Sequence, residues 1–176
     1  MIAQTLQDCL VDELGTILKG YRLKNRDGKL HDINIYPQSL PEPMPQTDAA
    51  GGTGMELSGF QDFSGDSSDE FFPFIIVYVH DGVIQEGPMA HTVQAGLAIG
   101  TYDGSSTRQG HRDILQIISK IEERFEKNNI LAGKFILQFP MEWSLQEADD
   151  DTHPYYFGGL SLNFDTPTYR RECRNS

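Results

Sequence analysis

Cysteine, tryptophan and basic residues are all scarce in this chain. Of 176 residues only two are cysteine, Cys9 and Cys173, near opposite ends and without paired spacing. That excludes a disulfide framework and a zinc knuckle and leaves two free thiols, with Cys9 beside the apolar face of a helix. Lys plus Arg number 14 against 26 Asp plus Glu, a net charge of −12. So acidic a chain has no general affinity for nucleic-acid phosphates or anionic membranes. No apolar run approaches the roughly 20 residues of a membrane span, and the amino-terminal stretch lacks the basic and apolar regions of a secretory signal. A soluble, cytosolic protein without membrane contact is expected.

Motifs that carry chemistry are also missing. The five histidines form no metal-binding spacing and have no cysteine near them. No serine sits in a Gly-x-Ser-x-Gly elbow, and the Gly51-Gly52-Thr53-Gly54 tract has neither the strand before it nor the Lys-Ser/Thr after it that a phosphate loop needs. Asp149-Asp150-Asp151 has the charge of a cation site without the alternating ligands and glycine of a calcium loop, and reads as a solvated acidic hairpin tip. His111, Arg112 and Asp113 are adjacent on a helix, where neighbours point about 100° apart and do not converge as a base with its orienting carboxylate. No catalytic residue, metal or cofactor is expected.

Hydrophobic periodicity is plentiful by contrast. Ile114, Ile117, Ile118, Ile121 and Phe125 recur at helical spacing after Gly110, an amphipathic helix ending at Asn128-Asn129. The period then changes to two. Phe135, Leu137, Phe139, Met141 and Trp143 mark a strand with one buried face, and Tyr156, Leu160, Leu162 and Phe164 a second, predicted to pair antiparallel and face the helix. Upstream, Leu6, Leu10, Leu14 and Ile17 give an amino-terminal helix, with Asp8, Asp12 and Glu13 placed toward its start as the macrodipole favours. Arg22, Lys24, Arg26 and Lys29 surround an Asp27-Gly28 turn in a short basic ribbon ending at Tyr36. Phe71 to His80, closed by Asp81-Gly82, reads as a central strand buried on both faces, and His91 to Tyr102 as another whose second face is small, so something packs close there.

These elements predict one α+β domain: an antiparallel or mixed sheet of about four strands with two helices on one face. Residues 1–36 supply the first helix and ribbon, 37–70 a Pro/Gly/Ser-rich arm or long loop, 71–166 the core and 167–176 a tail. Tyr155-Tyr156-Phe157 puts aromatics on both faces of the last strand, so one face meets either another part of the chain or a neighbouring subunit.

One ordered series has a familiar look. Gly100-Thr101-Tyr102-Asp103, then Gln109 to Leu115, Leu137 to Trp143, His153 to Gly158 and Leu162-Asn163-Phe164 resembles the tail terminators of long-tailed bacteriophages and their tail-completion or head-to-tail joining relatives. The likeness covers about the last hundred residues; the 37–70 stretch has no counterpart in it. The resemblance implies a small α+β virion protein, assembled in the host cytoplasm. It implies a ring of copies, typically a hexamer, that caps the tail tube, stops its polymerisation and presents a head-docking surface. Its partners on that basis are itself, the tail tube protein and a head-completion or connector protein, with DNA passing through the lumen unbound. A cyclic contact needs two different complementary patches. The candidates are Arg22, Lys24 and Arg26 on one side and Asp149, Asp150 and Asp151 on the other, with Tyr155 and Phe157 as an apolar supplement. Another neck or head-closure component is the alternative, and a small hydrolase or ligand-binding domain a more distant one.

Overall fold

The computed structural model of the chain describes residues 2–41, 71–84, 91–147 and 152–167. The leucine stripe forms helix α1 (Ile2–Ile17), with Leu6, Leu10 and Leu14 buried. Because α1 starts at Ile2, its first turn holds no acidic residue, and Asp8, Asp12 and Glu13 lie along its middle and second half. The expected dipole pairing at the helix start is therefore corrected.

The basic ribbon ends earlier than predicted. Strands β1 (Arg22–Lys24) and β2 (Leu30–Asp32) pair antiparallel as a separate small sheet. The chain then breaks at Ile33, and β3 (Asn34–Pro37) joins the main sheet, parallel to β4 (Phe74–Val83). Strand β4 runs through Asp81-Gly82 instead of closing there, because the pair forms a bulge between Val79 and Asp81 against β5 (His91–Tyr102). A bulge absorbs an extra residue without ending the ladder.

Helix α2 (His111–Lys127) buries the five predicted residues Ile114, Ile117, Ile118, Ile121 and Phe125. A two-residue strand β6 (Ile130–Leu131) follows, then β7 (Phe135–Leu145) and β8 (Tyr155–Thr166). The fold is α+β with two helices, a six-stranded mixed sheet in the order β3-β4-β5-β8-β7-β6, and the two-stranded ribbon. The predicted four central strands are there, and β3 and β6 extend the sheet at its two edges. Helix α1 touches β3 and β4 and also β6, at the opposite end of the sheet, so the sheet curls around the helices.

One core fills the concave side. Val93, Ala95, Leu97 and Ile99 of β5 alternate inward, and their partners Phe164, Leu162 and Leu160 of β8 do the same, beneath the buried stripes of α1 and α2. Glu13 of α1 and Arg124 of α2 form a partly buried ion pair that ties the helices together. The Arg124 guanidinium also donates to the carbonyl of Asn128 at 2.5 Å, beyond the end of α2.

The convex side explains the small residues of β5. A Cβ on Gly96 would lie 2.2 Å from the Tyr78 ring and one on Gly100 2.5 Å from the Phe74 ring, so aromatics of β4 lie across the glycines opposite them. Phe71, Phe72 and Phe74 form a second apolar cluster there, joined by Tyr36, Leu40, Tyr102, Tyr155 and Phe157.

Full burial along β7 ends at Leu137, although Met141 and Leu145 still pack partly on the core. Phe135 and Leu137 are buried, but Phe139 and Trp143 are more than half exposed. Pairing with β8 jumps from Gln138–Asn163 to Glu142–Ser161, and β6 stops pairing at Ile136, so the outer half of β7 is the edge of the sheet. A repeat of two reports two faces, not whether anything lies over them.

Candidate functional site

Three parts of the ordered series, the end of β5, the head of α2 and the start of β8, meet at one end of the molecule, whereas Leu137 pairs with Phe164 toward the other end of the β8 ladder. The loop after β5 starts with Asp103, whose backbone N–H donates to the Pro154 carbonyl (2.9 Å) and whose carboxylate accepts from the N–H of Ser105 (2.9 Å). This delivers the chain to Gly110 at the head of α2, which has no side-chain cap. A Cβ on Gly110 would lie 2.3 Å from Tyr156 and 2.8 Å from the Asp103 Cβ, so glycine lets the head of α2 sit against β8. One turn on, Ile114 nests over Gly158, where a Cβ would lie 2.6 Å from the Ile114 Cγ2.

The turn into β8 is fixed by its own polar groups. Gln146 donates from its side chain to the Thr152 hydroxyl (2.5 Å), which donates in turn to the Tyr155 carbonyl (2.7 Å). Between this turn and the head of α2 lies an open cleft of about 570 Å³, lined among others by Arg108, His111, Glu147, His153 and Tyr156. His153 Nδ1 and the Tyr156 hydroxyl are 3.4 Å apart. His111 lines the cleft, whereas Asp113 interacts electrostatically with Asp103 and Tyr21. The side chains of 111 and 113 thus serve different surroundings.

Burial, and then the charge of Asp103, push the Asp113 carboxyl above its ordinary range. Burial and then Asp113 likewise raise the Tyr21 hydroxyl, which donates to Gln116 of α2 at 2.7 Å. Thr101, level with Tyr156 in the ladder, is buried, and its hydroxyl has no hydrogen-bond partner among the described residues. Among the described residues no group of three or more His, Cys, Asp or Glu side chains is placed to hold a metal ion. No helix in them is long and apolar enough to cross a membrane.

The proposed assembly residues fall in three places. Arg22 and Lys24 stand on the exposed face of the ribbon, anchored by buried Leu23, and Arg26 is exposed at the ribbon's tip. Arg22 donates to Asp32 across the ribbon at 2.9 Å, so part of the cationic charge is met within the hairpin. Asp149, Asp150 and Asp151 lie outside the described residues. Tyr155 and Phe157 point to the convex face and pack on Phe72, with ring centroids 4.9 and 6.0 Å away, while Tyr156 packs on the main core. Both aromatic faces of the last strand are thus met within the chain. Among the described residues Phe139 and Trp143 are exposed instead, which alternation had placed in the core; the missed signal was Pro140, which stands where the pairing of β7 with β8 shifts register.

No protein-family model matches the chain, and no curated protein matches it. A solved structure whose name describes no function aligns over 96% of this chain and 94% of its own length, at 12% identity and a TM-score of 0.49. A likeness of that size carries no weight for function.

Proposed function

We propose that this chain is a structural virion subunit of the tail-terminator kind, which closes into a ring on the last disc of a phage tail tube, ends its polymerisation and offers a surface to the head. The carrying observation is the ordered series from Gly100 to Phe164, whose parts lie on neighbouring elements, with the end of β5, the head of α2 and the start of β8 packed together. Its glycines admit Tyr156 and Ile114, its Asp103 and Pro154 join two loops, and its polar groups serve turns. Residues used in this way hold a shape, and among the described residues no nucleophile, base and anion hole converge on a reacting atom.

The charge fits a conduit for DNA. A net −12 per subunit, with acidic loops turned to the lumen, repels the phosphates that must slide past. Partners on this reading are further copies in a hexamer, the tube protein, and a head-completion or connector protein. Another neck or head-closure role would use the same fold with different neighbours.

The test is addition of the purified chain to tube subunits of the phage that encodes it. Tubes should stop lengthening at substoichiometric amounts, with rings at one end in electron micrographs. Unimpeded tube growth would count against a terminator. Tight binding of duplex DNA at low salt would count against the repulsive lumen.

A further inference from the structure

We propose that the open cleft at the head of α2 is a binding site for a phosphate monoester, a small organic molecule that carries a terminal phosphoryl group. The cleft holds about 570 Å³, within the range of small-molecule sites. Arg108 and His111 come to it from the loop before α2 and from its first turn, and His153 from the turn into β8. Leu145 and Tyr156 supply apolar and aromatic wall, and Glu147 is the single carboxylate among the described lining residues.

The charge of the cleft runs against that of the chain. In a protein with 26 carboxylates, a guanidinium and two of the five histidines gather here against one glutamate. Asp113, also in the first turn of α2, is not among the described lining residues and interacts instead with Asp103 and Tyr21. Charges beyond about 8 Å are largely screened at physiological salt, whereas a concave site focuses the field of the groups that line it. The local donors therefore decide what enters more than the net −12 does.

Part of the lining serves the turn itself. Gln146 and Thr152 are committed to each other and to the backbones of Phe157 and Tyr155. His153 Nδ1 lies 3.4 Å from the Tyr156 hydroxyl, which leaves its Nε2 for a ligand. Arg108 has an interaction of its own within the chain, but a guanidinium carries five N–H donors and keeps some for a second partner. Three donor side chains suit an anion with three terminal oxygens better than a carboxylate with two, and the guanidinium fork matches phosphoryl oxygens in pairs. The start of α2, without a side-chain cap, adds potential of the same sign. A phosphoryl group alone leaves much of the cleft empty, and the rest lies along Leu145 and Tyr156, which fits an apolar or aromatic body.

Every residue named belongs to one chain, so the site does not depend on the ring and is tested apart from it. Phenyl phosphate is titrated into the full chain at an ionic strength held constant with chloride, and the histidine ring signals are followed by NMR. Those of His111 and His153 should shift and saturate at millimolar ligand, while those of His31 and His80 stay in place. Inorganic phosphate should move the same two signals with severalfold weaker binding, and benzoate, which has the ring and a carboxylate, should bind at least about tenfold more weakly than phenyl phosphate. Arg108→Gln and His111→Gln should each weaken binding about tenfold with unchanged circular dichroism. Glu147→Gln should tighten it severalfold, and so should Asp149→Asn, Asp150→Asn and Asp151→Asn combined, because these carboxylates follow Glu147 in sequence. Arg22→Gln, on the ribbon, should change nothing. A response that does not saturate, that moves all five histidines alike, or that persists undiminished in Arg108→Gln overturns the site. Benzoate bound as tightly as phenyl phosphate overturns its assignment to phosphate.

Discussion

Gly158 offers a sharp test of how the head of α2 is seated. A Cβ at this position would lie 2.6 Å from the Ile114 Cγ2 and 3.1 Å from the Ser144 carbonyl oxygen. Gly158→Ala therefore forces the helix or β7 to move. Overpacking of this kind costs about 1–3 kcal/mol, and replacing glycine where its φ is ordinary returns about 0.4–1 kcal/mol by restricting the unfolded chain. The net loss should be about 1–2 kcal/mol, a fall of about 2–8 °C in melting temperature for a domain of this size. Ile114→Ala alone empties a fully buried site and should cost about 2–5 kcal/mol. The double variant is the decisive member. The new methyl at 158 then occupies space left by Ile114, so the two costs should fall short of their sum by about 0.5–3 kcal/mol. Urea unfolding followed by circular dichroism measures all four chains. Costs that add to within about 0.5 kcal/mol would show that the two positions do not meet, and the packing of α2 on β8 would be wrong.

Thr101→Val removes a buried hydroxyl that has no partner among the described residues and should raise stability by about 1 kcal/mol, read as a higher urea midpoint at unchanged slope. Arg124→Ala, by removing both the Glu13 ion pair and a bond to the Asn128 carbonyl, should cost about 1–3 kcal/mol; Glu13→Gln should cost less, since the guanidinium keeps the carbonyl. Asp113 has a raised carboxyl pKa in the fold, so its favourable term is present below the unfolded pKa of about 3.9 and is lost as pH rises through the folded value. Asp113→Asn should thus melt higher than the parent at neutral pH, and the gap should close in acid; a parent that is the more stable at neutral pH would refute this. Reversing Arg22 and Lys24 to glutamate should leave the melting temperature nearly unchanged, because both are exposed, and should reduce association in a sizing experiment.

The parts of the fold that could be read from residues are those set by local periodicity over many turns. The isoleucine stripe of α2 placed its buried face residue by residue, because burial along a helix repeats with its own geometry. The hairpin of β7 and β8 and the inward row of β8 followed in the same way. What escaped depends on partners remote in sequence. Asn34–Pro37 leaves its ribbon to pair with Phe74–Val77, and nothing within those four residues announces a partner 40 positions away. Ile130–Leu131 is too short to have a period at all. Phe139 and Trp143 alternate correctly and are exposed nonetheless, because β7 runs past the strand that shelters its first half.

The candidate surfaces divide along the same line. A cluster of like charges is visible as letters, so the ribbon was found, but the Arg22–Asp32 pair that offsets it needs the hairpin register. Tyr155 and Phe157 looked available for a partner because Phe71 and Phe72, which meet them, stand more than 80 positions earlier. Conversely, the exposure of Phe139 and Trp143 was hidden by a pattern that promised burial.

The most direct measurement is to label the chain and image tail tubes assembled with it. A ring-forming terminator should place label at one end of each tube and nowhere else, with the number of capped ends rising until growth stops. Label spread along the tubes, or tubes that grow on unlabelled with the chain left free in solution, would contradict it.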